Sequence, residues 1–167
     1  HVDNIYLRVD FDNTTWTTTR VYNNWFYLDN YSGPGGSACV TMSQQSECDV
    51  YNNVFSNTAH PAIISRGGPR TGGNPQIHNI YNNSFYNGSS AIIISSQGGA
   101  APIGIIRIQN NIFQDTRSGW GFAIDQYDAD ANPTVLDYNI YKFPVAGHDI
   151  LNRPQGPLNF ASARAAG

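Results

Sequence analysis

The sequence carries little charge and little leucine. Only 13% of its 167 residues are Asp, Glu, Lys or Arg, the net charge is −3, and Lys142 is the one lysine. This composition argues against a nucleic-acid partner, which needs a concentrated basic surface. No run of about 18 apolar residues is present, so the sequence predicts no segment that spans a membrane. Five leucines are too few for the core of a leucine-rich repeat.

Cysteine is also scarce, because Cys39 and Cys48 are the only two. They flank a polar turn at 43–46, and we predict that they close this loop by a disulfide if their strands come close together, with free thiols as the alternative. A disulfide and N-linked glycans would both indicate a secreted or cell-surface protein. The predicted glycosylation sites, each the Asn of an Asn-x-Ser/Thr triplet, are Asn13, Asn30 and Asn87.

A six-residue phrase recurs along the whole chain in the form (Val/Ile)-x-Asn-Asn-x-Phe. Residues 50–55 read VYNNVF, residues 80–85 read IYNNSF, and a decayed fifth copy at 136–141 reads LDYNIY. The steps between successive copies are 29, 30, 28 and 28 residues, and a fixed period of this size indicates a repeat architecture. The second asparagine of the phrase falls at Asn24, Asn53, Asn83, Asn111 and Asn139.

Each repeat has the same order of elements. An apolar strand such as 106–108 precedes the asparagine pair, and a second strand follows after several polar residues, as at 62–66, 91–95 and 122–126. One repeat has too little apolar surface to fold alone, whereas stacked repeats bury a continuous column. We therefore predict an all-β solenoid of about five parallel coils, forming one domain over 1–167 with an irregular tail from 147 to 167.

The asparagine pair is explained by the sharp bend that such a coil needs between two strands. Asparagine tolerates the left-handed backbone conformation of a tight bend. Its side-chain amide can donate to the equivalent amide in one neighbouring coil and accept from the other, which satisfies polar groups that the bend would bury. We predict that the second asparagine of each pair forms this ladder, because it persists in the decayed copy.

The sequence resembles the right-handed parallel β-helix repeat family, which includes pectate lyases. The resemblance rests on the repeated Asn-Asn phrase, on the AIII-type strands and on the ending DYNIYKF…GHDILNRPQGP. The resemblance covers about residues 5 to 152 and implies a right-handed coil. It also implies an active site on the outer face of one sheet and its flanking loops. The helix that usually seals the first coil of this family is not evident here. We therefore expect either a segment of a longer protein or coils that join end to end.

The strand alternation predicts which residues form that outer face. If Ile63, Ile92 and Ile124 point inward, their neighbours Ile64, Ile93 and Asp125 point outward. Arg66, Ser95 and Tyr127 follow near the same face, and such a patch suits an oligosaccharide. The predicted substrate-binding residues are Tyr127, Ile93 and Ser95.

Basic and acidic residues near this face are candidates for chemistry. Arg66 and Arg70 lie in a glycine-rich stretch and could remove the proton next to a uronic carboxylate or hold that carboxylate, with His60 or His78 assisting. The alternative is a loop whose arginines make surface hydrogen bonds, beside histidines that are simply structural. The acidic cluster of Asp125, Asp128 and Asp130 could bind Ca2+. In pectate-lyase-like folds, a calcium ion bridges an acidic sugar to the protein, and the resemblance implies the same role here. The alternative is an ordinary surface loop, since loops are commonly acidic.

Three functions fit these patterns. The first is an extracellular protein that binds, and could cleave by β-elimination, an acidic polysaccharide. The second is a structural solenoid, such as a surface fibre, adhesin or filament subunit that associates end to end. The third is a non-catalytic sugar-binding module of a larger enzyme. Since one fold serves many functions, the fold alone does not choose among them.

Overall fold

The computed structural model of the protein describes residues 5–8, 18–27, 38–43, 47–58, 60–67, 76–88, 90–96, 104–114, 122–126, 135–142 and 149–152. Within these residues every regular element is a β-strand. In chain order the strands are β1 (Ile5–Arg8), β2 (Thr18–Tyr22), β3 (Trp25–Tyr27), β4 (Val40–Ser43), β5 (Glu47–Tyr51), β6 (Val54–Ser56), β7 (Ile63–Gly67), β8 (Ile77–Tyr81), β9 (Ser84–Tyr86), β10 (Ile92–Ser96), β11 (Ile105–Gln109), β12 (Ile112–Gln114), β13 (Phe122–Gln126), β14 (Val135–Asp137), β15 (Ile140–Lys142) and β16 (Asp149–Asn152).

The strands form three parallel sheets in which each strand pairs with the strand three positions along the chain. Sheet A has the order β1-β4-β7-β10-β13-β16, sheet B has β14-β11-β8-β5-β2, and sheet C has β15-β12-β9-β6-β3. The chain therefore passes through the three sheets once per coil and then repeats. This is a parallel β-helix of about five coils, as the period of the sequence predicts.

The structure adds one strand per coil to the sequence-based description. The short strands of sheet C, such as β6 and β9, carry the x-Phe part of the repeated phrase. Three residues are too few to show the alternation by which a strand is recognised in a sequence. The predicted irregular tail is wrong at its start, because residues 149–152 form β16 and pair with β13.

The core is built from columns of like residues on the inward positions of the three sheets. The column in sheet B contains Val21, Val50, Ile80 and Ile108, all buried, and ends at the partly buried Leu136. The column in sheet C is a stack of aromatic rings with centroids 4.8–5.0 Å apart and planes within 6° of parallel. Its members are Phe26, Phe55, Phe85, Phe113 and Tyr141. This distance matches the spacing of neighbouring strands, so like residues stack in register.

The asparagine ladder runs the length of the described coils. The second asparagine of each of the first four copies donates from Nδ2 to Oδ1 of the equivalent residue in the next coil, over 3.0 to 3.1 Å. The same Oδ1 also accepts the backbone N–H of the ladder asparagine in the preceding coil, as between Asn53 N and Asn83 Oδ1 at 3.0 Å. Asn53, Asn83 and Asn111 are buried, so the ladder satisfies polar groups that have no access to water. The predicted ladder is confirmed at all five positions, from Asn24 to Asn139.

The first residue of each pair makes the bend. Asn23, Asn52, Asn82 and Asn110 have φ between 54° and 59°, in the left-handed region that asparagine tolerates. In the decayed copy this position is Tyr138, with φ of 55°. The two asparagines of the phrase thus have different tasks, since one provides the backbone conformation and the other provides the hydrogen bonds.

Candidate functional site

The outer face of sheet A brings together four of the residues predicted for a site. Ile93 on β10 pairs in register with Ile64 on β7 and with Asp125 on β13. Two positions along the strands, Ser95 pairs with Arg66. Ile63, Ile92 and Ile124 are buried in the core, so the predicted alternation between inner and outer positions is confirmed.

This face is less open than the sequence predicts. Asp125 is 1% exposed and Ile64 is 5% exposed, although both occupy outward positions of their strands. The expectation of an exposed patch is therefore wrong at these two residues. Arg66, Ile93 and Ser95 are half-buried. Solvent therefore reaches the row that contains Arg66 and Ser95.

Several predicted residues lie outside the described part of the chain. These are Arg70, Tyr127, Asp128 and Asp130, together with the sequons at Asn13 and Asn30. Among the residues that the structure describes, no group of three His, Cys, Asp or Glu side chains is arranged to hold a metal ion. The Ca2+ site stays a prediction, and its one described member, Asp125, is buried rather than presented at the surface.

The two histidines near this coil have different surroundings. His60 precedes β7 and is half-buried. His78 points into the core from β8, where its Nδ1 lies 2.8 Å from Ser65 Oγ on β7. Burial lowers the pKa of His78 to about 4, so the ring is neutral at ordinary pH. Its complete burial means that a surface-bound substrate cannot reach it, which leaves His60 as the candidate of the pair.

The predicted disulfide is wrong, since Cys39 and Cys48 are both free thiols. β4, which ends at Ser43, belongs to sheet A, whereas β5, which begins at Glu47, belongs to sheet B, so these two strands do not pair with each other. Cys48 lies on β5 in register with His78 on β8, whereas Cys39 directly precedes β4 of the other sheet. Both thiols are buried, and this burial raises the pKa of each to about 12.

The outer face of sheet B is a row of paired polar side chains. Arg107 Nη1 donates to Asn79 Oδ1 at 3.1 Å, and Asn79 Nδ2 donates to Asp49 Oδ1 at 2.8 Å. Asp49 Oδ2 also lies 3.6 Å from Arg20 Nε. Beside this row the rings of Tyr22, Tyr51 and Tyr81 stack with centroids 4.9–5.0 Å apart. Arg107 therefore pairs with a polar side chain of its own sheet, which is a different sheet from that of Arg66.

The predicted glycosylation site at Asn87 makes a side-chain amide contact outside the asparagine ladder. Asn87 and Asn57 both have left-handed φ, and Asn87 Nδ2 donates to Asn57 Oδ1. The next residue, Gly88, is close-packed, because a Cβ there would clash with Thr58 Oγ1. The Asn87 amide is thus part of a packed corner between coils, and its glycosylation stays a prediction.

The exposed side chains of sheet C are not evident from the sequence. Trp25 is 74% exposed, and Tyr27 and Tyr86 are about half exposed. These residues occupy the positions on either side of the stacked phenylalanines, so they point outward by simple alternation. The repeated phrase does contain this information, because the residues on either side of its Phe must point outward if they belong to a strand. The sequence alone does not show that these three residues form a strand.

Comparisons with protein-family models, with curated proteins and with solved structures return no match. The fold is therefore established by the strand pairing itself, and no activity is carried over from a relative. In the part of the chain that the structure describes, no helix has the length and hydropathy that crossing a membrane requires.

Proposed function

We propose that the protein is an extracellular β-helix that binds an acidic polysaccharide along the outer face of sheet A. The observation that carries this proposal is the register that sets Arg66 beside Ser95, with Ile93 in the adjacent row. A half-buried guanidinium can form paired hydrogen bonds with a uronic carboxylate, and these are stronger than bonds between neutral groups. A hydroxyl and an apolar side chain next to it suit the remaining surface of a sugar ring.

Cleavage would extend this binding to β-elimination. A base takes the proton from the carbon that bears the carboxylate, the neighbouring carbon–oxygen bond breaks, and the departing oxygen receives a proton while a double bond forms. Arg66 neutralises the carboxylate in this scheme, which makes that proton easier to remove, and Arg70 or His60 is the candidate base. Ca2+ bound at the acidic cluster would bridge a second carboxylate to the protein.

The experiment compares wild type with the double variant Arg66→Ala, Arg70→Ala on polygalacturonate and alginate, with Ca2+ present. Affinity electrophoresis measures binding, and ultraviolet absorbance detects unsaturated products. We expect the variant to lose binding to the acidic polymer and to release no product. Arg20→Ala on sheet B is the matched control, because it removes an exposed arginine from another face. Unchanged binding in the double variant would rule out this assignment.

A second candidate, a structural solenoid that stacks end to end, is favoured by the ends of the asparagine ladder. At the first rung, no described residue donates a hydrogen bond to Asn24 Oδ1. At the last rung, Asn139 Nδ2 donates to Ile108 O, and no rung follows it among the described coils. A second copy stacked on the last coil would join these groups and place Tyr141 on Phe26, with its β1 taking the place beside β13 that β16 occupies in the single chain.

Sedimentation and electron microscopy of the purified protein distinguish this second candidate. Stacked copies would give filaments with an axial repeat of about 24 Å, which is five coils at about 4.8 Å each. A monomer at high concentration that retains polysaccharide binding would exclude the filament and leave the first proposal standing.

A further inference from the structure

The outer face of sheet C differs from the other two outer faces because it is apolar and open. Its first row of outward positions contains four apolar residues that are 41% to 74% exposed, with the half-buried Ser84 at the centre of the row; the four are Trp25, Val54, Ile112 and Ile140. In the other row Tyr27 and Tyr86 are 52% and 46% exposed. Large exposed apolar surfaces of this kind mark interaction sites rather than ordinary solvent-facing protein.

The indole of Trp25 is held in place on this face. Its Nε1 donates to Ser56 Oγ at 2.9 Å, and Ser56 lies on the next strand, two positions further along. To reach it, the indole must lie diagonally across the sheet rather than project into solvent. The ring is nevertheless 74% exposed, so one of its faces is presented outward in a fixed orientation.

Two tyrosines border this fixed ring. Ser56 pairs in register with Tyr27 on one side and with Tyr86 on the other. Ser56 is thus the one small residue between two large ones, and its hydroxyl anchors the indole nitrogen between the two tyrosines. Trp25, Tyr27 and Tyr86 together form what we call the aromatic platform.

The charge on this face indicates which ligand it fits. Among the described outward positions of sheet C, Lys142 in the last coil carries the one formal charge, and the first three coils carry none. A polyanion or a basic peptide would gain no ion pair at the platform. A sugar ring has one apolar C–H face and a rim of hydroxyl groups. That pattern matches an aromatic face bordered by tyrosine and serine hydroxyls.

We propose that the aromatic platform is a binding site for a neutral, extended polysaccharide, with one sugar ring stacked on Trp25. The hydroxyls of Tyr27 and Tyr86 bind the rim of the same chain. Because the indole is already fixed by Ser56, its ordering costs little entropy when the sugar binds. This site lies on a different sheet from Arg66 and does not depend on the function proposed for sheet A.

The test is affinity electrophoresis of the purified chain in gels containing hydroxyethylcellulose or galactomannan, with polygalacturonate as the acidic comparison. We expect at least one neutral polymer to retard the wild type. Trp25→Ala should lower the association constant by about tenfold or more, since truncating a central aromatic anchor removes most of a contact's binding energy. Ser56→Ala should lower it less, by releasing the ring, and Trp25→Phe should retain part of the binding.

The matched control is Tyr138→Asn. Tyr138 is 73% exposed, nearly the same as Trp25, but it occupies the turn between β14 and β15 rather than the face of sheet C. This variant should bind as the wild type does. Urea midpoints confirm that each variant is folded, and if Trp25→Ala does not fold, Ser56→Ala and Trp25→Phe decide the matter.

Three results would overturn the proposal. The first is that neither neutral polymer retards the wild type. The second is that Trp25→Ala binds the neutral polymer as tightly as wild type. The third is that light scattering finds the wild type to be an oligomer that Trp25→Ala dissociates, which would identify the platform as a protein interface. Loss of acidic-polymer binding in the Arg66 variant, with neutral-polymer binding intact, would separate the two sites.

Discussion

The substitution Asn83→Ala removes a central rung of the asparagine ladder. Asn83 is 1% exposed, and its Oδ1 accepts from Asn53 N and from Asn53 Nδ2, both at 3.0 Å. Its Nδ2 donates to Val50 O at 2.8 Å and to Asn111 Oδ1 at 3.1 Å. Alanine can replace none of these contacts, and the buried position denies water the access that would compensate.

The cost follows from the groups that lose their partner. The backbone N–H of Asn53 is left buried without an acceptor, whereas Asn53 Nδ2 keeps its bonds to Val21 O and Tyr51 O. An unsatisfied buried group costs about 1–3 kcal/mol, and each ordinary hydrogen bond contributes about 1 kcal/mol net. We therefore expect Asn83→Ala to lower the free energy of unfolding by about 3–4 kcal/mol.

The same substitution at the first rung should cost much less. Asn24 is exposed, and its side chain donates to Asn53 Oδ1 and Tyr22 O, so water can replace it. Asn53 Oδ1 still accepts the backbone N–H of Asn24 in the variant. We expect a cost of about 0.5–1 kcal/mol for Asn24→Ala.

Urea unfolding, monitored by circular dichroism and by tryptophan fluorescence, measures these differences in the free energy of unfolding. Two probes are needed because repeat proteins can unfold in parts. Asn82→Gly is the matched control, since it changes an exposed neighbour and keeps the left-handed conformation available. It should cost less than about 1 kcal/mol. If Asn83→Ala and Asn24→Ala cost the same within error, the ladder does not stabilise the interior of the β-helix in the way described.

Three further predictions concern single residues. Tyr138→Asn should raise the free energy of urea unfolding by about 1 kcal/mol, because asparagine relieves the left-handed strain at φ of 55°; a decrease would contradict this. The His78 side chain is neutral in the folded protein down to about pH 4, whereas in the unfolded chain it takes up a proton near pH 6.5. The unfolded state therefore binds more protons between these values. The free energy of unfolding should fall by up to about 3 kcal/mol as the pH falls through this window. His78→Asn should lose most of that dependence, and an unchanged pH profile would contradict it. A thiol reagent without reductant should find no reactive cysteine in the folded protein and two in urea, whereas a disulfide would give none in either.

The sequence predicts the repeating part of this fold well because the repeat is enforced in every coil. Asn83 and Phe85 recur at nearly constant spacing since each must meet its equivalent in the next coil at the strand spacing. Inner and outer positions of sheet A follow from the same constraint. These are properties of neighbouring coils, so one sequence displays them several times.

The outcomes that depend on non-repeating contacts were less predictable. The alternation puts Asp125 on the outer side of its strand but cannot show that this side chain is shielded from solvent. The spacing of Cys39 and Cys48 suggests a loop closed by a disulfide, whereas β4, which directly follows Cys39, and β5, which contains Cys48, belong to different sheets. Trp25 was missed because a strand of three residues has no visible period. Site geometry in a β-helix is set by such irregular features, and it is therefore the part least accessible from sequence.

The most direct test of the stacked coils is a long-range NMR coupling across the ladder hydrogen bonds. In isotopically labelled protein, a long-range HNCO experiment would connect the backbone nitrogen of Asn53 with Cγ of Asn83, since that N–H is bonded to Asn83 Oδ1 at 3.0 Å. A second correlation should connect Asn83 N with Asn111 Cγ, where the distance to Oδ1 is 2.9 Å. Both correlations are expected. Their absence, together with close contacts that show antiparallel pairing of β5 and β8, would contradict the parallel β-helix.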